Sequence, residues 1–196
     1  MTRKLPIVLA TLLVGCLLIP MGADALPKGA VGYKIFHQEG SEWVRYNQGD
    51  AFPAGGATPP TNVWKYEFAI MNYQYTSGIY QFMIFFNSDN VLRATYSSAP
   101  APTGWAPTYF PPATGYYNWK VRFRTTQSIY YVMAPDTAEG YAVVFNWIAS
   151  GTLPGPQNYD LVDATGSEAG VTHELPPDMT GLEPTTWGRV KALFLQ

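Results

Sequence analysis

The chain has 196 residues, 12 Lys and Arg against 14 Asp and Glu, a net charge of −2 and only 13% charged residues. That balance excludes nucleic acid as a natural partner, and a single cysteine excludes a disulfide framework. With 18 glycines, 17 prolines, 6 Trp, 14 Tyr and 10 Phe, the composition fits neither a helical bundle nor a disordered tail; it is that of a turn-rich, aromatic-rich β protein.

At the start, Arg3 and Lys4 precede an apolar run from Leu5 to Met21, which ends at Ala23, Asp24 and Ala25. This is the pattern of a secretory signal peptide over residues 1–25. The run falls short of the about 20 residues that a permanent helical span requires, so no such span is expected. Leu13, Val14, Gly15 and Cys16 also resemble a lipobox, but the apolar LLIPMG after the cysteine and the Ala-x-Ala site favour removal over lipidation. Loss of Arg3, Lys4 and Asp24 with this segment leaves 10 Lys and Arg against 13 Asp and Glu, net −3, and no cysteine. A domain of about 150 residues buries roughly 70% of its unfolded surface, enough for one core without disulfides. One domain is therefore expected over residues 26–175.

The segment VGYKIFHQEGSEWVRYN reads as a hairpin turning at Gln38 to Ser41, with Gly40 supplying the positive φ. QGDAFPAGGATPPTN is too rich in glycine and proline for a central strand and reads as a loop. In NVWKYEFAIMN, Trp64, Tyr66, Phe68 and Ile70 alternate with Lys65, Glu67 and Ala69, the pattern of a half-buried strand. GIYQFMIFF and GYAVVFNWIAS are apolar on both faces and read as central strands. YYNWKVRFRT alternates again, with Trp119, Val121 and Phe123 inward and Lys120, Arg122 and Arg124 outward. SIYYVM, NYDLVD and GVTHEL add shorter β runs. The fold class is thus all-β, an antiparallel two-sheet sandwich of jelly-roll or immunoglobulin-like type with about eight to ten strands. PPDMTGLEPTT, within residues 176–186, is linker chemistry. Residues 187–196 form a short tail with Trp187, Val190, Leu193 and Phe194 at near-helical spacing, weakened by Gly188.

From Asn62 to Glu174, the phrases NVWKYEFAIMN, APTGW, YYNWKV and GYAVVFNWIASGTLPGPQNYDLVD resemble small secreted bacterial β-sandwich proteins, many of which carry sorting tails of the PEP-CTERM type. The tail departs from that family, lacking both a long apolar helix and a terminal arginine cluster. Trp187, Gly188, Arg189, Val190, Lys191, Ala192, Leu193 and Phe194 instead resemble a W-G-x-[IV]-K-x-[LM]-[FY] ending of secreted proteins from Gram-negative-type bacteria. The resemblance implies an extracellular or cell-surface location, the periplasm being the other compartment. It also implies that Trp187, Gly188, Arg189 and Lys191 are read by secretion or sorting machinery. The competing reading docks Trp187, Val190 and Phe194 on the sandwich, where a buried tryptophan contributes a few kcal/mol.

No catalytic constellation is expected. Only His37 and His173 are available, and no G-x-S-x-G string occurs. The pairs Asp160/Asp163 and Glu39/Glu42 read as solvated turn residues, with a glycan-active hydrolase as the enzyme alternative. No metal or cofactor is expected; Asn87, Asp89 and Asn90 in FNSDN, or Asp160 and Asp163 near another strand end, would be the loops for a structural calcium, but tight-turn Asn and Asp ordinarily cap their own backbone. The aromatic surplus points to contact chemistry. Trp105, Tyr109, Phe110, Tyr116 and Tyr117, in TGWAPTYFPPATGYYNW, are the candidate platform for a polysaccharide or a surface protein, or else a cap on the end of the sandwich. The stripe of Lys120, Arg122 and Arg124 suits an anionic polysaccharide, or cross-strand pairing with carboxylates such as Glu67. The expected function is that of a secreted, non-enzymatic binding or structural module, with carbohydrate binding around Trp105 as the alternative.

Overall fold

Strands form where apolar residues recur every second position, and turns where glycine or Asx chemistry interrupts them. The computed structural model describes residues 27–47, 49–50, 62–95, 101–112, 118–149 and 152–176. The expected signal peptide over residues 1–25, Cys16, Tyr116, Tyr117, the expected linker beyond Pro176 and the tail with Trp187, Gly188, Arg189 and Lys191 lie outside them. In chain order the strands are β1 Gly29–Glu39, β2 Glu42–Tyr46, β3 Val63–Asn72, β4 Gln81–Asn87, β5 Val91–Thr95, β6 Ala106–Phe110, β7 Asn118–Arg124, β8 Thr137–Trp147, β9 Asn158–Asp163, β10 Gly166–Val171 and β11 His173–Glu174. Among the described residues no helix is long and apolar enough to cross a membrane.

The strands form two sheets packed face to face as a β-sandwich, as expected. One runs β11-β1-β3-β8-β5, with β2 also on β1; the other runs β10-β9-β4-β7-β6. β2 and β11 share one edge of β1: β2 takes Ile35 to Glu39 and β11 takes Gly32 and Tyr33, in the only parallel pairing among the described strands. The β1–β2 hairpin turns at Gly40, whose φ of 64° needs no Cβ to be accommodated. The expected central strands are central: β8 lies between β3 and β5, and β4 lies between β9 and β7.

Alternation fills the space between the sheets mostly with rings. Trp64, Tyr66, Phe68 and Ile70 of β3 and Tyr141, Val143 and Phe145 of β8 face Phe82, Ile84 and Phe86 of β4 and Val121 and Phe123 of β7, all buried. Phe82 meets Tyr141 edge-on at 4.8 Å, and Tyr66 lies 5.7 Å from Phe86, so aromatic contacts cross from sheet to sheet. Edge and offset geometries of this kind add about 0.5–1.5 kcal/mol per pair beyond area burial. Each inward tryptophan also finds a partner for its ring N–H. Trp64 donates to Asn62 Oδ1, Trp105 to the Tyr130 carbonyl, Trp119 to Val91 and Trp147 to Thr152.

Three local expectations are corrected. SIYYVM is not a strand: Ser128–Tyr130 forms a 3-10 turn, and only Val132 makes a β-bridge, to Ile79. Here tertiary packing overrides β propensity, because the turn places Tyr130 against Gly104 and aims its carbonyl at Trp105. The stretch around Trp105 is not all loop, since Ala106–Phe110 is an edge strand that tolerates Pro107. GVTHEL is split at Thr172, so that β10 belongs to one sheet and β11 to the other. With β5 also present, the described residues hold eleven strands.

Candidate functional site

The two sheets expose very different outer faces. On the six-stranded sheet, Leu175 lies over Gly32, close enough that an added Cβ would stand 2.5 Å from Leu175 Cδ2. Leu175 is fixed there by its own N–H, which donates to the Tyr33 carbonyl at 2.8 Å, and by the Arg45 guanidinium, which donates to its carbonyl. Further along this face Lys65 lies 4.4 Å from the Phe36 ring centre and 5.0 Å from that of Trp43, and it is ion-paired with Glu67 at 2.6 Å. Ala69 and Met71 are buried as well. Leu175 thus covers the bare backbone at Gly32, Lys65 is matched by Glu67, and Phe36 and Trp43 stay half-buried beside it.

The outer face of the five-stranded sheet is open. Register aligns its side chains in three rows across all five strands. The first is Val171, Asn158, Phe85, Lys120 and Phe110; the second is Ala169, Asp160, Met83, Arg122 and Thr108; the third is Ser167, Val162, Gln81, Arg124 and Ala106. Along β7 the three cations stand about 7 Å apart, two strand residues per step. Each lies over a ring: Lys120 is 5.6 Å from the centre of Phe85, Arg122 is 5.1 Å from that of Phe110 and Arg124 is 5.9 Å from that of Tyr80. The ring quadrupoles hold the cations to the sheet without cancelling their charge. Between β10 and β7 this face dips into a shallow groove of about 480 Å³, lined by Phe85, Asn118, Asn158, Asp160, Ala169 and Val171. Burial raises the Asp160 carboxyl above the usual carboxylate range, and Lys120 pulls it partly back.

The sequence-derived site residues divide between the two sides of the five-stranded sheet. Trp105 is 8% exposed and packed edge-on against Tyr141 at 5.2 Å, so it closes the core and does not offer a platform. Tyr109 faces inward at the sheet edge, half-buried and stacked on Trp119 at 5.3 Å. Phe110 faces outward, beneath Arg122, and is the one described member of the aromatic set on the open face with the cation stripe. Glu67 does not pair with that stripe, because β3 and β7 belong to different sheets.

The remaining polar candidates are also placed. Asp160 and Asp163 lie on opposite faces of β9: Asp163 points inward and accepts hydrogen bonds from Ser77 Oγ, from the Thr165 hydroxyl and N–H and from the Gly166 N–H. Burial alone would raise its carboxyl, but these bonds outweigh it and hold the group below the ordinary carboxylate range. Glu39 and Glu42 are cross-strand partners beside the exposed hairpin turn, where Glu39 accepts from the Tyr46 hydroxyl at 2.7 Å. Asn87 Oδ1 accepts the Asp89 N–H at 2.9 Å, so the FNSDN turn caps itself. His37 is buried against Trp64 and Tyr46 within the sandwich, whereas His173 stands on β11.

Sequence reasoning passed over Phe85, Asn118 and Asn158. GIYQFMIFF is apolar on both faces, so nothing at its Phe85–Phe86 step distinguishes outward Phe85 from inward Phe86, and the two asparagines reach one groove only through the β9–β4–β7 pairing. Comparison with known proteins gives no matching family model, no matching curated protein and no matching solved structure.

Proposed function

We propose that the protein is a secreted, extracellular or cell-surface module that works by contact, and that the outer face of the five-stranded sheet is its contact surface. The observation carrying this reading is the asymmetry of the two faces. On one, Leu175 covers Gly32 and Lys65 is ion-paired with Glu67; the other carries three cations in line over rings, two of them arginines with no ion-paired carboxylate among the described residues, beside an amide-lined groove. Half-exposed rings next to fixed charges form a surface able to bind without reorganisation, which lowers the entropic cost of association.

The groove favours a carbohydrate over a protein partner. The Phe85 ring supplies apolar area, and the amides of Asn118 and Asn158 supply donors and acceptors spaced around it, a combination suited to the apolar and hydroxyl-bearing parts of a sugar. Asp160 is the one carboxylate among the residues lining the groove, and glycoside hydrolysis ordinarily uses two facing carboxyls about 5–9.5 Å apart. On this reading the groove holds a glycan through its ring and amides.

Fractionation of a Gram-negative host expressing the full chain tests the reading. Processed protein in the periplasm, on the surface or in the medium is the expected result. Unprocessed protein confined to the cytoplasm would overturn it.

A further inference from the structure

From the charge and row geometry of the open face we infer that the ligand is an acidic polysaccharide, a uronic-acid-bearing chain running along β7 with its carboxylates on Arg122 and Arg124. This rests on the binding reading above and goes further by naming the ligand class. The protein as a whole is acidic, with 14 Asp and Glu against 12 Lys and Arg, yet this face carries three cations in line and Asp160 as the one acid in its three rows. Such local inversion of the overall charge is not required by the fold, since on the opposite sheet Lys65 is neutralised by Glu67. Among the described residues no carboxylate ion-pairs with Arg122 or Arg124.

The shape of the face selects a polysaccharide from the polyanions. The cations repeat about every 7 Å along one strand, so they address a linear chain bearing charge at intervals. Between and beside them lie Phe85, Met83 and Phe110, which give the face apolar floor for ring C–H groups as well as charge for carboxylates. A nucleic acid would meet an acidic molecule with one narrow basic row, where phosphate binding calls for a broad basic patch. An acidic peptide would find backbone partners at a sheet edge, and the stripe lies on a face, one strand in from the β6 edge.

The test uses the full chain and polygalacturonate, a homopolymer of uronic acid, with its carboxyl-reduced neutral counterpart as control, followed by titration calorimetry. Binding to the charged polymer is expected, with about tenfold or greater weakening as salt rises from about 0.01 to about 0.15 M and the Debye length shrinks from roughly 30 to roughly 8 Å. The double variant Arg122→Gln/Arg124→Gln should lose about tenfold or more in affinity while keeping its unfolding midpoint. Arg124→Gln alone, at an exposed position, serves if the double variant is not folded, and should lose about threefold. Equal affinity for the neutral polymer, or wild-type affinity in the folded arginine variants, would overturn the inference and leave the binding module standing. Equal or tighter binding of polyglutamate or single-stranded DNA would overturn the assignment to sugar. Cytoplasmic retention of the unprocessed chain, by contrast, defeats the reading on which both rest.

Discussion

The outer faces of the two sheets use the same elementary unit, a cation lying over an aromatic ring, and put it to different ends. On the six-stranded sheet Lys65 sits over Phe36 and Trp43 and is ion-paired with Glu67, while Leu175 is folded down beside it onto Gly32. On the five-stranded sheet Lys120, Arg122 and Arg124 lie over Phe85, Phe110 and Tyr80, with no segment of the described chain laid across them. A cation–π contact alone is thus compatible with either a closed or an open face. What separates Lys65 from Arg122 and Arg124 is whether an ion-paired carboxylate comes with it.

The sharpest division is between rings that hold the sheets together and rings on the open face. Trp105→Ala should cost about 3–5 kcal/mol, since it empties a site between Phe82 and Tyr141 and leaves the Tyr130 carbonyl without its donor. Phe85→Ala, at a half-buried position, should cost about 1–2 kcal/mol. Denaturant unfolding of the two variants measures the difference. Equal losses would mean that Phe85 is as much a core residue as Trp105, and the contrast between the two sides of that sheet would fail.

Leu175→Ala tests the cover on the opposite face. The side chain is 7% exposed and fits against the bare backbone of Gly32, so truncation should cost about 2–3 kcal/mol and loosen β11. Faster amide exchange at Leu175, whose N–H is bonded to Tyr33, would report that loosening directly. Unchanged exchange would mean that Leu175 covers nothing of consequence.

Asp160 and Asp163 carry the same contrast into pH dependence. In the folded state Asp163 holds its proton less tightly than in the unfolded chain, so it stabilises the fold above the ordinary carboxylate pKa of about 3.9. That contribution is lost as pH falls through this value and then through the lower folded one. Asp160 is shifted the other way by burial, so its ionisation opposes folding as pH rises past its raised folded pKa. Asp163→Asn should destabilise by about 1–3 kcal/mol at neutral pH and flatten the acid limb of the stability curve. Asp160→Asn should leave that limb in place. Urea midpoints from pH 7 to 3 decide between these outcomes.

Much of this was legible in the residues. Period-two alternation places Trp64, Tyr66, Phe68 and Ile70 inward on β3, and Lys120, Arg122 and Arg124 outward on β7, before any contact is known. Gly40 marks its turn in the same way. Less local features were not legible. Trp105 looks like a loop aromatic because the carbonyl that receives its N–H belongs to Tyr130, 25 residues on, in a segment whose own composition suggests a strand. Pro107 disguises β6, because an edge strand tolerates a residue that a central one does not. Glu67 matches the β7 cations in charge, and only the assignment of β3 and β7 to different sheets separates them. The groove is the extreme case, since its asparagines come from β7 and β9 and its ring from β4.

The smallest expected effect bears most directly on why the two faces differ. Glu67→Gln removes the partner of Lys65 on the closed face, and because that pair is only partly buried the cost should be about 0–1 kcal/mol. Arg124→Gln on the open face should shift stability by no more than about 0.5 kcal/mol. By stability alone the two substitutions are nearly alike. Added salt should separate them: it screens the Lys65–Glu67 attraction and so reduces the cost of Glu67→Gln, whereas Arg124 has no carboxylate attraction to screen and its small effect should stay constant. Thermal unfolding of both variants at low and high ionic strength provides the measurement. A marked salt dependence for Arg124→Gln would reveal a charge partner on the open face and erase the distinction between a matched Lys65 and the two arginines that no described carboxylate ion-pairs.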